Sequence, residues 1–473
     1  MLVLIGASAW NGTRASGIVE GSQRSADQSR PASSSSKRWS LGSSSLSAAD
    51  IDEEWHRMSE RLEPYFGLVV DTIVVSGNER TRRRTIVREM ATKEGEALEP
   101  ELVKRDASYL RGMGFFSDVN IAASPVAPGR CRVDVTIVER PGLFMKYPYP
   151  VVNYDFEDGV SYGLRWRIKN FRGRAEELKI HALKRREKEH GGSVSWRIPW
   201  FLGRRLQMSS SLFTYRRLEE PESDDFIKER NGLSAYFGFP LSSSLVRQLW
   251  LGTTLSIEGR SSRLTLARDG SITSDLYRQN LLATGLELIY DSRDNRVSPW
   301  DGVYGRFRAI RFTSIHGLEQ SYIFYYATAN FYMPISSLGT LILSLGGDVR
   351  EGDLPSFFEM GIGGTYDLRG FPENDRKGRA KVMGTLQLRR PIYGPRVFDI
   401  PYVGDFDLAM NAIVFIDNAS LMDCISDLTE SRYDTTAGIG LEVISPIQDM
   451  VRFELGGDKE GNLAFYISSG TRF

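Results

Sequence analysis

Residues able to make or break bonds are sparse in this chain. Its 473 residues include four histidines and two cysteines. No histidine stands in an HExxH arrangement, which would set two imidazoles and a general base around zinc on one helix face. There is likewise no GxSxG nucleophile elbow and no glycine loop of the kind that cradles phosphate. His190, in the run REKEHGG, is expected in a solvated turn. Cys131 and Cys424 lack metal-ligand spacing and lie in segments of different texture, so neither a metal site nor a disulfide between them is expected. So few thiols suit an oxidising envelope compartment. Lys plus Arg equals Asp plus Glu at 60 each, which leaves no net field to attract nucleic acid. The expectation is a protein that is not an enzyme and carries no metal or cofactor. Three motifs remain: GIGGTYDLRGF at 361–371, YDSRDNRVSPWDG at 290–302 and VFIDN at 414–418.

These motifs sit in the second of two segments of contrasting texture. The first, residues 65–141, opens with the apolar strand LVVDTIVVSGN, closed by the turn signal Ser76-Gly77-Asn78. Thr81 is placed to cap a helix whose Ile86, Val87 and Met90 form one apolar stripe. Pro100 between Glu99 and Glu101 starts a second helix with Leu102, Tyr109, Leu110 and Met113 on one face, and Gly112 and Gly114 end it. A strand near Val119 follows, then one in which Val133, Val135 and Ile137 alternate with polar residues. The order strand–helix–helix–strand–strand predicts a compact α+β domain.

From 143 to 473 helical periodicity gives way to period-2 alternation. Tyr162, Leu164, Trp166 and Ile168 alternate with Gly163, Arg165, Arg167 and Lys169; Ala437, Ile439, Leu441 and Val443 alternate with Gly438, Gly440 and Glu442. A soluble sandwich alternates too, but here the polar face carries Arg, Glu and Gly in strand after strand. A single transmembrane antiparallel β-barrel, apolar outside and wet inside, accounts for this better than a multi-domain soluble β protein. Hydropathy windows miss such a barrel because the two faces cancel. About 16 strands are expected, an even number. Tight turns at 171–174 and 202–205 are assigned to the side of the soluble domain, with a longer polar connection at 218–228 opposite. The longest connection, 352–379, exceeds a simple barrel turn and is expected to be functional. Residues 1–60 are expected to be a disordered linker: 11–50 are rich in Ser, Gly and Arg. The run LVLI before Ala7-Ser8-Ala9 reads either as a truncated or misassigned signal peptide or as an ordinary disordered terminus.

The three motifs in this order, ending on Thr471-Arg472-Phe473, resemble the outer-membrane protein assembly and secretion barrel superfamily (the bacterial surface antigen family, BamA/TamA-like). The soluble segment is similar to a single POTRA domain of that family. The resemblance implies that Gly363, Gly364, Leu368, Arg369, Gly370 and Phe371 belong to a loop folded back into the lumen, with Arg369 paired to Asp417. Alternation puts Asp417 on the face of Asn411, and an enclosed guanidinium needs a carboxylate to offset its desolvation. Family members often carry a second acid on the strand after the loop, where this chain has Gln387; Asp417 is therefore expected to be the main partner. The glycines are read as supplying the backbone of a re-entrant tip, or as flexible loop glycines. Asp291, Arg293, Asp294, Pro299 and Gly302 are read as a structural strand end and turn. Phe473 resembles a terminal assembly signal and equally suits an aromatic girdle. Gly470 should weaken the pairing of the last strand.

The resemblance implies an outer-membrane protein insertion or polypeptide transport factor of a bacterial cell, with the POTRA domain in the periplasm. Expected partners are outer-membrane lipid, unfolded outer-membrane or secreted polypeptide clients and periplasmic accessory proteins, and no nucleic acid. Client strands would template at a weak seam between the first strand (149–157) and the last. A secretion pore for one soluble partner is the alternative, though such transporters usually carry two soluble domains; a passive channel or structural surface barrel is a third.

Overall fold

The computed structural model describes residues 48–140, 148–155, 159–185, 189–219, 225–266, 275–317, 319–335, 338–354, 359–371, 376–400, 404–445 and 449–470. The N-terminal domain consists of helix α1 (Ala48–Leu62), strand β1 (Val69–Ser76), the short helix α2 (Arg83–Val87), helix α3 (Pro100–Gly112) and strands β2 (Phe116–Ala127) and β3 (Arg130–Glu139). β3 is central, parallel to β1 and antiparallel to β2. From β1 onward this is the expected strand–helix–helix–strand–strand order. Ile73, Ile86, Met90, Leu110, Val119 and Val135 are buried together between sheet and helices, each contributing about 1.5–3 kcal/mol.

Two local expectations need correction. α1 occupies part of the segment expected to be linker. Within it Trp55, Met58 and Leu62 follow an i, i+3, i+7 spacing, and Met58 and Leu62 are buried in the domain core, so a narrow stripe docks a largely charged helix. Thr81 does not cap α2; Arg82 is the N-cap residue and makes no side-chain cap bond. Thr81 is held elsewhere: its backbone N–H donates to the Glu139 carboxylate at 2.6 Å and its hydroxyl accepts from Asn170 Nδ2 at 2.7 Å.

Sixteen antiparallel strands close the barrel. They begin with β4 (Tyr149–Asp155), β5 (Gly159–Phe171), β6 (Glu176–Lys184), β7 (His190–Ile198), β8 (Gln207–Glu219) and β9 (Asp225–Pro240). The far wall follows as β10 (Gln248–Leu266), β11 (Asp275–Asp291), β12 (Gly302–Gly317), β13 (Ser321–Ile335) and β14 (Gly339–Gly352). A two-stranded ribbon, β15 (Met360–Gly361) and β16 (Lys377–Gly378), interrupts the series, which resumes with β17 (Ala380–Ile400), β18 (Gly404–Met422), β19 (Tyr433–Ser445), β20 (Asp449–Asp458) and β21 (Leu463–Ser469). β21 lies against β4 and completes the circle. Strand length varies around it: β4 and β21 have 7 residues each, β10 has 19 and β17 has 21.

The pleat sorts the side chains. Leu164, Leu212, Leu233, Leu255, Leu286 and Ile439 are all more than half exposed on the outer surface, forming the apolar belt that lipid requires. Inward-facing acids are buried and paired: Glu258 with Arg230 and Arg260, and Glu287 with Arg306 and Arg308. Two expectations about connections change here. β8 and β9 remain paired through Leu218–Ile227 and Glu219–Phe226, so 218–228 is largely strand, with 220–224 outside the described residues. Strands that outrun the lipid belt no longer need an apolar face, and their polar composition imitates a loop. His190 opens β7 as an exposed strand residue opposite Lys184 and Arg216 rather than lying in a turn.

The turns after β5 and β7 rest on the N-terminal domain. The Thr85 hydroxyl donates to the Gly173 carbonyl at 2.9 Å, Arg88 to the Arg174 carbonyl at 2.6 Å, and Trp200 Nε1 to the Glu89 carboxylate at 2.6 Å.

Candidate functional site in the barrel lumen

Strands β15 and β16 pair at Met360–Gly378 and Gly361–Lys377 and so pinch the base of the long connection between β14 and β17. Beyond the pinch the chain enters the barrel. Ile362 and Leu368 are fully buried and pack on Ala419 of β18. The tip turns back on itself: the Gly364 N–H donates to the Phe371 carbonyl at 2.9 Å, and the Phe371 N–H to the Leu368 carbonyl at 3.2 Å. Gly363, Gly364 and Gly370 have φ of 110°, 82° and 92°, a region that L side chains rarely enter.

The arginine at the tip is fully buried. Arg369 Nε and Nη2 grip the two oxygens of Asp417 at 2.7 and 2.8 Å, a bidentate fork. Nη1 donates to Glu454 at 2.6 Å and, at 3.4 Å, to the Gln387 amide oxygen. The guanidinium lies 3.3 Å above the Phe415 ring. Asp417 also accepts from the Thr385 hydroxyl at 2.8 Å. The loop tip is therefore tied to β17, β18 and β20 at once. One further bond reaches the last strand: the Gly370 N–H donates to the Tyr466 hydroxyl at 3.0 Å. Glu454, Phe415 and Tyr466 were not foreseen. The signal for them was parity alone, since each is an inward residue of an alternating strand.

This close seating depends on bare backbone in the wall. A Cβ at Gly456 would stand 2.7 Å from the Arg369 carbonyl oxygen, and one at Gly370 2.6 Å from the Gly456 carbonyl carbon. Gly456→Ala is expected to push the tip off β20 at a cost of about 1–3 kcal/mol. Limited proteolysis should then cut the 361–371 segment, which is expected to resist protease in the parent protein. An equally resistant variant would show that the tip tolerates displacement.

The second motif is built at the other end of the barrel. Arg293 forks onto Asp291 at 2.9 and 3.1 Å and lies over Tyr304. One oxygen of Asp294 accepts the N–H groups of Asn295, Trp300 and Asp301 at 2.8, 2.9 and 3.3 Å. Gly302 has φ 112°, and a Cβ there would meet the Ser292 carbonyl oxygen at 2.5 Å. The Pro299 carbonyl accepts from buried Arg389 of β17 at 2.9 Å, and Arg389 faces Glu442 at 2.8 Å. The turn residues thus hold one another, and a chain of polar contacts runs on from Arg389 through Glu442 and Gln387 to Arg369 of the loop motif. Phe473 lies outside the described residues; the described part of the last strand keeps Ala464, Tyr466 and Ser468 inward and Leu463 outward. Among the described residues no cluster of His, Cys, Asp or Glu is arranged to hold a metal ion.

The geometry matches known proteins. The Omp85 superfamily domain matches residues 170–473, and a POTRA domain, described as a surface antigen variable number repeat, matches residues 68–140. BamA from Haemophilus ducreyi lacking POTRA domains 1–3 superposes with a TM-score of 0.53 at 18% identity, covering 85% of this chain and 84% of that one. CdiB from Escherichia coli gives 0.57 at 14% identity, covering 86% and 76%. Among curated proteins, outer envelope protein 80, chloroplastic, of Oryza sativa subsp. japonica is 23% identical over 351 residues, or 67% of this chain and 49% of that protein. Its Arabidopsis thaliana counterpart is 23% identical over 357 residues, 67% of this chain and 45% of that protein. The chain thus spans about half the length of these plant relatives. With a POTRA domain, a closed sixteen-strand barrel and a family match over most of its length, the chain belongs to the Omp85 superfamily.

Proposed function

We propose that this protein inserts or assembles polypeptides at an outer membrane, using the β21–β4 junction as the place where client strands pair. The carrying observation is the weakness of that junction. The β20–β21 ladder runs unbroken from Val451–Ser469 to Gly457–Leu463, and β4–β5 from Tyr149–Arg165 to Asp155–Gly159. Between β21 and β4, among the described residues, one pair is in register, Ile467 with Tyr154. Unsatisfied strand edges are templates for another strand, and this barrel keeps two of them side by side.

An Omp85 barrel indicates an outer membrane; we place this one in a bacterial cell, with the POTRA domain in the periplasm. That domain would receive unfolded clients or accessory proteins by strand addition, and its own hydrogen bonds favour one edge for the purpose. The outer edge of β1 is covered by its own chain: Val70 N–H bonds to the Glu96 carbonyl at 2.9 Å, Gly95 N–H to the Val70 carbonyl at 2.8 Å, and Ile73 N–H to the Glu94 carboxylate at 2.9 Å. On β2, Arg111 covers the Val119 carbonyl at 2.6 Å; Ile121 and Ala123 share that outward direction and offer the shorter edge.

A wide passive channel fits less well, because the buried loop occupies the lumen. Depletion followed by outer-membrane proteomics separates the readings. Broad loss of barrel proteins is the expected result; loss of one secreted protein would favour a dedicated secretion pore, and an unchanged profile would sink both.

A further inference from the structure

The strands on either side of the weak junction carry a polar row at one level of the lumen. In register, Glu442 of β19 faces Arg452 of β20, Arg452 faces Ser468 of β21, and Asn153 of β4 faces Ser161 of β5. The Ile467–Tyr154 pair brings Ser468 opposite Asn153, so the row crosses the junction.

Among the described residues, several polar atoms at the centre of this row have no hydrogen-bond partner, although Arg452 also lies 5.7 Å over the Tyr366 ring. Arg452 is 2% exposed, yet its Nε and Nη2 have none; the same holds for Ser468 Oγ and Asn153 Oδ1. Both neighbouring carboxylates lie closer to other arginines. Glu454 stands 3.8 Å from Arg452 but receives Arg369 at 2.6 Å, and Glu442 faces Arg389 at 2.8 Å. A buried guanidinium left in this condition is costly. A barrel wall that had only to stay closed would be better served by an apolar residue.

We infer that Arg452, flanked by Ser468 and Asn153, is a receptor for a carboxylate on an incoming polypeptide, and that it becomes accessible as β21 parts from β4. The guanidinium offers two N–H groups to a carboxylate's two oxygens and the Ser468 hydroxyl a third donor, with the Asn153 amide at the edge of the same row. The row faces the lumen rather than lipid, so the ligand arrives with a chain that has entered the barrel. Its source is the terminal α-carboxylate of a client strand or an acidic side chain within it. This inference rests on the junction opening as proposed above.

The test uses the full-length protein in lipid nanodiscs and three fluorescent strand-forming peptides of about nine residues, the length of a spanning strand. One has a free C-terminal carboxylate, one is amidated, and one is amidated with a central glutamate. Binding is read by fluorescence anisotropy. The free acid is expected to bind about tenfold or more tightly than the amide, and Arg452→Met should abolish the difference. Tighter binding of the glutamate peptide instead would assign the acidic side chain as the source. Arg452→Lys, which keeps the charge but not the fork, covers the case in which the Met variant does not fold; it should lose most of the selectivity. Equal binding of all three peptides, or selectivity that survives in Arg452→Met, would overturn the assignment. Either result would leave the insertion reading intact wherever depletion still removes barrel proteins broadly.

Discussion

Replacing Asp417 by alanine is expected to release the lumen loop and to cost the barrel about 3–5 kcal/mol, the usual penalty for removing one partner of a buried ion pair. The size follows from what would be stranded. Arg369 is fully buried and spends two of its donors on Asp417, and the Thr385 hydroxyl would lose its acceptor as well. Glu454 would remain but can engage only one corner of the guanidinium. Glu454→Gln should therefore be milder, about 1–2 kcal/mol, because the bidentate fork survives. The temperature at which the folded band is lost in semi-native electrophoresis orders the variants: parent highest, Glu454→Gln intermediate, Asp417→Ala lowest. Protease sensitivity at 361–371 should follow the same order. If Asp417→Ala melts with the parent protein, the arginine is not the loop's anchor. Arg369→Met combined with Asp417→Ala should cost less than the two single effects added, since the residues share one interaction.

The second large effect concerns the junction. Cysteines at Tyr154 and Ile467 occupy facing positions on β4 and β21, within the Cα separation that a disulfide accepts. Cys131 is buried, and exposed Cys424 can be replaced by serine to leave one reactive pair. Oxidation is expected to slow client-barrel assembly in reconstituted liposomes by about tenfold or more, the fraction escaping being that left uncrosslinked, and reductant should restore the rate. Assembly at the full rate with the junction locked would remove it from the mechanism while leaving the fold and family unaffected.

The fold was legible because its signals are periodic. Alternation located the barrel, and the apolar stripes of Ile86 to Met90 and Leu102 to Met113 located the two helices of the soluble domain. Asp417 could be assigned to the lumen by its parity with Asn411. Glu454 could not be singled out. It is separated from Asp417 by β19, and only barrel curvature and the path of the loop bring both acids to one guanidinium. With Gln387 where family members often place an acid, the second carboxylate comes from a strand nearer the junction. α1 was missed for a different reason: a few spaced apolar residues in a charged run look like linker until a core exists to receive Met58 and Leu62. The 218–228 segment misled because strand composition changes where lipid ends.

The unequal strands have a consequence for the surrounding bilayer. Seven residues span about 24 Å along a strand, and at a tilt near 40° that is about 18 Å of height, well short of a hydrocarbon layer of about 30 Å. The 19 residues of β10 exceed it amply. Over the described residues the barrel wall is therefore taller at β10 than at the junction, a profile that would require the acyl chains beside β4 and β21 to compress. The polar ends of an entering hairpin would have a shorter apolar distance to cross there. For the proposed insertion, the same two short strands that pair poorly would also lower the barrier in the lipid itself.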